Sequence, residues 1–295
     1  MRRRPTLSAT PAKAGVHRLK RWSVWTPAFA GVAGLVVAIA GLAACAQAPA
    51  GGGGIVSTNP CADAILLRLV APERIAAISH YSHDPASTSI PVAEARRFRA
   101  TAGTAEEVVA MRPDLVLASS FTPPATRAAF DHAGLRTLYL GSPTTVAASR
   151  AQIEEIAAAV GAPDKGRVLT SEIDAALRAG FPERRDEPAA LLFIAGTLAN
   201  GSGTLLDELL TRAGFANAAA RYGLEYTGTL PAERIVTDPP AVIVAPSADG
   251  RVEAMRRRLL PRTPIAAFPR ELINCGGPSI APALARLRAI RASLP

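Results

Sequence analysis

From residue 55 onward, short runs of consecutive apolar residues alternate with longer stretches in which apolar positions recur every three or four residues. The first pattern predicts buried strands and the second amphipathic helices. Ile55-Val56-Ser57 reads as a short strand, and Thr58-Asn59-Pro60 as a capped turn into a helix from Ala62 to Leu69. Arg74 to Ser79 is the next strand. It is followed by a polar loop, His80 to Ser89, by helices at Val92 to Arg97 and Ala105 to Met111, and by the apolar run Leu115 to Ala118. Pro123-Pro124 opens a helix to His132, Gly134 ends it, and Leu135 to Leu140 is a strand. This spacing predicts a mostly parallel sheet covered on both faces.

Two consecutive helices then interrupt the alternation. Val146 to Val160 places Ile153, Ile156 and Val160 on one face, and Pro163 to Ala179 carries Val168, Leu169, Ile173 and Leu177 as an apolar stripe. At 1.5 Å per residue the second helix is about 25 Å long, enough to run between two lobes. Phe181 to Pro188 is a charged loop, and strands resume with Ala190 to Ile194.

Thr104 to Ala118 and Pro231 to Ala245 align without gaps, with Ala105/Ala232, Glu106/Glu233, Val109/Val236, Pro113/Pro240 and Ala118/Ala245 identical. Each window reads as a short helix, a proline stop and a buried strand. The repeat predicts two similar α/β lobes joined by the helical segment, with a cleft between them.

The 295-residue chain has a formal net charge of +9, which by itself suggests an anionic partner such as nucleic acid. The distribution removes that reading. Arg2, Arg3, Arg4, Lys13, Arg18, Lys20 and Arg21 all precede an uncharged, small-residue apolar stretch from Ala28 to Ala44, the pattern of an export leader. The stretch is short and diluted by Ala and Gly for a permanent membrane span. Leu42-Ala43-Ala44-Cys45 is similar to a bacterial lipobox, with Cys45 as the lipidated N-terminus; cleavage after Ala48 would put Pro49 beside the cut. Without the leader, 26 basic residues face 24 acidic ones. The expected organisation is a signal peptide (1–44), a linker (45–54), an N-terminal lobe (55–143), a helical connector (144–187) and a C-terminal lobe (188–295).

The lipobox leader, the opening strand into Asn59-Pro60-Cys61-Ala62-Asp63, the doubled helix-Pro-strand unit, the spanning helix and Cys275-Gly276-Gly277-Pro278 before a last helix together resemble the periplasmic binding proteins of iron-siderophore and cobalamin ABC importers. The resemblance covers about residues 55 to 295. It implies two Rossmann-like α/β lobes with parallel sheets bridged by one rigid helix (a class III periplasmic binding protein), little hinge motion and a ligand in the cleft. It also implies one glutamate on each lobe that pairs with arginines of the permease, and the matching positions are Glu106 and Glu233.

In open α/β sheets, ligands lie outside the carboxyl ends of the strands. Candidate ligand contacts there are Asn59, His80, Tyr81, His83, Ser120 and Phe121 in the first lobe, and Tyr222 and Tyr226 in the second. His80-Tyr81-Ser82-His83-Asp84 is the densest run of coordinating groups, so His80, His83 and Asp84 are candidate metal ligands. A bare-ion site would need further donors, and no histidine follows His132, which favours a chelated metal. Phe121, Tyr222 and Tyr226 could pack against a large flat ligand. Both tryptophans, Trp22 and Trp25, lie in the leader. Cys61 and Cys275 begin helices at opposite ends of the mature chain. In an exported protein such a pair forms a disulfide worth about 4–5 kcal/mol, or remains as two thiols able to ligate a soft metal.

No Gly-x-Ser-x-Gly or His-Glu-x-x-His motif is present, and Gly201-Ser202-Gly203-Thr204 reads as a tight turn into a helix. The expectation is therefore a non-enzymatic, monomeric solute-binding lipoprotein with no intrinsic cofactor. It captures a ferric siderophore or corrinoid, touches the membrane only through its lipid, and delivers the ligand to an inner-membrane ABC permease and its ATPase. The alternatives are a chelatase-like bilobal enzyme and a bare zinc or manganese receptor.

Overall fold

A computed structural model describes residues 53–179, 187–247 and 250–294. The leader, Cys45, most of the linker and most of the charged loop before the second lobe lie outside the described residues. The first lobe runs β1 (Ile55–Ser57), α1 (Pro60–Leu69), β2 (Ile75–Ser79), a 3-10 turn (His80–His83), α2 (Val92–Ala95), β3 (Ala100–Thr101), α3 (Ala105–Met111), β4 (Leu115–Ser119), α4 (Pro124–His132) and β5 (Thr137–Leu140). Its five strands are all parallel in the order β3-β2-β1-β4-β5. The order reverses at β1/β4, which makes the carboxyl edge of those strands the expected crevice.

Helices α5 (Val146–Ala159) and α6 (Pro163–Arg178) follow. The second lobe contains β6 (Ala189–Ala195), β7 (Leu198–Asn200), α7 (Leu205–Arg212), β8 (Ala216–Asn217), α8 (Ala218–Arg221), β9 (Thr227–Thr229), α9 (Ala232–Thr237), β10 (Val242–Ala245), α10 (Gly250–Leu259), β11 (Ile265–Ala267) and α11 (Ile280–Ala292). Strands β8, β6, β10 and β11 are parallel neighbours, as β2, β1, β4 and β5 are in the first lobe. The two halves of the sequence repeat, α3-β4 and α9-β10, therefore occupy the same place in the two sheets. The second sheet also carries an antiparallel ribbon, β7 and β9, that the apolar pattern does not predict, because each strand is three residues long.

Both sheets bury one face against the same helical layer. A single apolar core joins Ile65 and Leu66 of α1, Leu117 of β4, Ile153 of α5, Leu169 and Ile173 of α6, Leu209 of α7, Leu192 of β6 and Leu284 of α11. Helix α6 spans the layer: Glu172 pairs with Arg68 of α1 at 2.9 Å, and the Ala176 carbonyl accepts from Arg288 of α11 at 2.7 Å. Its buried face is Gly166, Leu169, Thr170 and Ile173, whereas Val168 is 61% exposed. The helical period favours residues 166, 169, 170 and 173, and residue 168 lies off that line. A Cβ on Gly166 would lie 2.5 Å from that of Ala157, so glycine lets α5 and α6 close together.

Candidate functional site

Because β1, β2, β4 and β5 are parallel, the residues that follow them share one sheet edge. Asn59 after β1 and Ser142 after β5 line a cleft, whose other wall comes from Asn200, Thr204 and Thr227 of the second lobe. Asn59 caps α1, with Oδ1 accepting from the Cys61 N–H at 2.9 Å, and Pro60 supplies the first helical residue. Cys61 and Cys275 form a disulfide in the cleft wall, with Cα atoms 5.2 Å apart. Beside it, Asn274 donates through Nδ2 to the carbonyls of Thr88 and Ala86 at 3.0 and 3.2 Å, tying the segment before α11 to the first lobe. Across the cleft, Thr204 caps α7 and donates to Asn200 Oδ1 at 2.9 Å. Gly201 is required there, because a Cβ would lie 2.3 Å from the Leu224 carbonyl oxygen. Among the described residues no charged side chain lines the cleft.

The remaining predicted residues are distributed around this cleft unevenly. Tyr81 and Phe121 follow β2 and β4 on the same sheet edge and are 51% and 80% exposed. With neighbouring strands about 4.8 Å apart, the edge from β2 to β5 is about 14 Å wide. Ser120, also exposed, uses its N–H on the Leu140 carbonyl, and its own carbonyl accepts from Arg127. From the second lobe, Tyr226 precedes the cleft-lining Thr227, is 63% exposed at φ 58°, and lays its ring over Gly203. Tyr222 is a correction: it is 6% exposed, packs in the second-lobe core, and donates its hydroxyl to the Asp238 carbonyl. Burial raises its pKa. It is the C-cap of the four-residue α8, and its inward side chain is not revealed by spacing alone.

The expected metal cluster His80, His83 and Asp84 is a second correction. His83 donates through Nε2 to the Ala95 carbonyl at 3.0 Å. Asp84 accepts from Ser87 Oγ at 2.6 Å and the Ala86 N–H at 3.0 Å, bonds that hold its carboxyl below the usual range. Among the described residues no group of three His, Cys, Asp or Glu side chains is placed to hold an ion. His80 differs from its neighbours. Its Nδ1 contacts the Thr101 carbonyl at 3.2 Å, and since a carbonyl only accepts, in the neutral ring Nδ1 carries the proton and Nε2 the lone pair. The ring is exposed and its centroid lies 4.1 Å from that of Tyr81.

Sequence reasoning passed over Asp63. This carboxylate is fully buried and accepts from the Ser79 N–H at 3.0 Å and Ser82 Oγ at 2.5 Å, so it pins the turn that presents His80 and Tyr81 to the start of α1. Burial pushes its pKa to about 7, with the bonds from Ser57, Ser82 and Ser79 opposing the shift. The available signal was its position inside the otherwise apolar run Ala62 to Leu66. Glu106 and Glu233 are both exposed in the first turns of α3 and α9, and neither is in an ion pair among the described residues.

No curated protein sequence matches this chain. Solved structures do. The periplasmic heme-binding protein RhuT from Roseiflexus sp. RS-1 is 22% identical, with TM-score 0.67, over 81% of this chain and 99% of that one. HutB of Vibrio cholerae, also a periplasmic heme-binding protein, is 17% identical, with TM-score 0.67, over 81% and 98%. The vitamin B12-binding protein BtuF of Vibrio cholerae is 16% identical, with TM-score 0.59, over 80% and 94%. At these identities the likeness is one of fold. Residues 55–261 match the family model described as periplasmic binding protein, and the chain belongs to that family.

Proposed function

We propose that this protein is the solute receptor of an ABC importer for a metal-bearing tetrapyrrole, heme or a corrinoid. The observation that carries the reading is a cleft with an uncharged lining, flanked by exposed Tyr81 and Phe121 on one lobe and Tyr226 on the other. Aromatic faces bury a large flat ligand at little entropic cost, and a few polar groups orient it. His80 Nε2 and the Tyr81 hydroxyl are the donors open to a metal already held by its macrocycle, and both residue types serve as axial ligands of heme iron. The names of the neighbours with this fold, two heme binders and a vitamin B12 binder, point the same way. In this reading the protein is exported, is anchored through Cys45 and acts as a monomer. It presents Glu106 and Glu233 to a basic permease and carries out no covalent chemistry.

The test is spectroscopic. The mature domain is titrated with hemin, cobalamin, cobinamide and a ferric hydroxamate siderophore, with a Soret shift expected for hemin or a saturable heat for a corrinoid. Tyr81→Ala or His80→Ala should abolish the coordination spectrum or weaken binding at least tenfold. Saturable binding of the siderophore alone would transfer the site to the ferric-siderophore class, and no binding of any chelate would end the reading.

A further inference from the structure

On the face of the second sheet turned away from the shared helical layer, α9 and α10 leave a gap. An apolar cavity opens there over Phe193 and Ile243. Val236, Met255 and Leu259 line it and are 49%, 42% and 42% exposed. A lone exposed apolar residue means little, but three around one cavity form a patch. The cavity shares no lining residue with the interlobe cleft. Its apolar walls suit the apolar part of a small molecule.

Arg256 lines the same cavity and is 5% exposed. Its guanidinium carbon lies 4.6 Å from the centroid of the Phe193 ring, and Nη2 donates to the Gly196 carbonyl at 2.6 Å. Among the described residues the buried Nε–H has no acceptor. Glu253, one turn earlier on α10, accepts instead from Arg257, at 3.1 Å from Nε and 2.6 Å from Nη2. Burial lowers the pKa of Arg256, and the charge of Glu253 only partly opposes the shift. A buried charge with a donor left over is costly unless an anion meets it.

We propose that this cavity binds an amphipathic monoanion, an apolar body bearing a carboxylate, with the carboxylate paired to the Arg256 guanidinium and the body between α9 and α10. The site is separate from the one proposed for the transported chelate and does not depend on that assignment. Calorimetric titration of the mature domain would use decanoate and 4-phenylbutyrate as alkyl and aryl acids and 1-decanol as the uncharged control. At least one acid should bind about tenfold or more tighter than decanol, the difference expected for one charge-assisted hydrogen bond. Arg256→Met should erase that preference. Met255→Trp, which fills the mouth from an exposed position and spares the fold, should weaken acid binding about tenfold with the melting temperature unchanged. Equal binding of decanol and the acids, no acid binding at millimolar concentration, or acid binding untouched by Met255→Trp would overturn the proposal. Competition between the acid and hemin or cobalamin would do the same, since it would place the acid in the interlobe cleft.

Discussion

Cutting the Cys61–Cys275 bond should cost this domain a large share of its stability. The bond joins residues 214 apart, from the N-terminus of α1 to the segment before α11. Chain-entropy reasoning gives about 5 kcal/mol for a loop of that length. Single domains are stable by about 5–15 kcal/mol, so the loss is a third or more of the total. For a domain of this size each kcal/mol moves the melting temperature by about 2–4 °C, which predicts a fall of about 10–20 °C. The native state should nevertheless persist, because other ties cross the same junction. Asn274 holds two first-lobe carbonyls, the Gly277 N–H donates to Ser149 Oγ at 2.7 Å, and the core is continuous between the lobes. The assay is differential scanning calorimetry of the mature domain with and without dithiothreitol, beside a Cys61→Ala/Cys275→Ala double variant that separates the bond from side effects of the reductant. Urea titration adds an independent readout: the uncrosslinked chain unfolds to a more expanded state, so its m-value should rise. A double variant that melts within about 3 °C of the oxidised protein, with an unchanged m-value, would refute the entropic reasoning.

Asp63 makes stability pH-dependent in a defined direction. Its folded pKa of about 7 lies above the ordinary 3.8, so between roughly pH 4 and 7 the folded state holds a proton that the unfolded chain has released. Stability from this group is complete below pH 4, falls as pH rises through that window and levels off above it, by at most about 4 kcal/mol. Asp63→Asn keeps an acceptor for Ser79 and Ser82 and should flatten the slope in urea midpoints taken at pH 5 and pH 8; a variant with the wild-type slope would contradict the assignment. Glu106→Lys and Glu233→Lys should each reduce uptake in cells while leaving ligand affinity in solution unchanged, and a loss of affinity would remove the docking role. Gly201→Ala drives a Cβ into the Leu224 carbonyl and should cost about 1–3 kcal/mol while displacing the Tyr226 segment, visible as a lower melting temperature together with weaker ligand binding. Wild-type values for both would show that the backbone relaxes freely there.

Legibility followed the range of the interaction. The helix from Pro60 to Leu69 was readable because its cap, its proline and its apolar face are all local to the sequence. The repeat was readable because two helix-Pro-strand units occupy equivalent positions in two sheets. The β7/β9 ribbon was not, since three-residue strands carry no period and take their identity from a partner more than twenty residues away. His83 and Asp84 looked like metal ligands because the sequence shows donors but not what already occupies them. One is bonded to the Ala95 carbonyl across a loop, the other to its own turn. Asp63 was hidden for the opposite reason. An acid in the first turn of a helix usually answers the helix dipole in solvent, and only the tertiary structure shows that this one is buried under the β2 turn.

The way the lobes are joined limits how ligand binding can be signalled. A hinge needs a few residues that absorb a rotation while the rest move as rigid bodies. Here the candidate hinge is bridged several times: by α6 with contacts to α1 and α11, by the disulfide, by Asn274, and by the Val146 N–H, which donates to Glu208 of α7 at 2.7 Å. Rotating one lobe would have to break these bonds and open the shared core, at a cost of many kcal/mol. A ligand can shift a conformational equilibrium only by its differential affinity for the two states. Wide closure is therefore unavailable as a signal, and a permease that grips Glu106 and Glu233 would meet them at nearly fixed separation whether the cleft is filled or empty. On the proposed site assignment, what the ligand can change is the exposed aromatic rim. Tyr81, Phe121 and Tyr226 lie on loops that follow or precede strands, and their order on binding is the difference available for a partner to read.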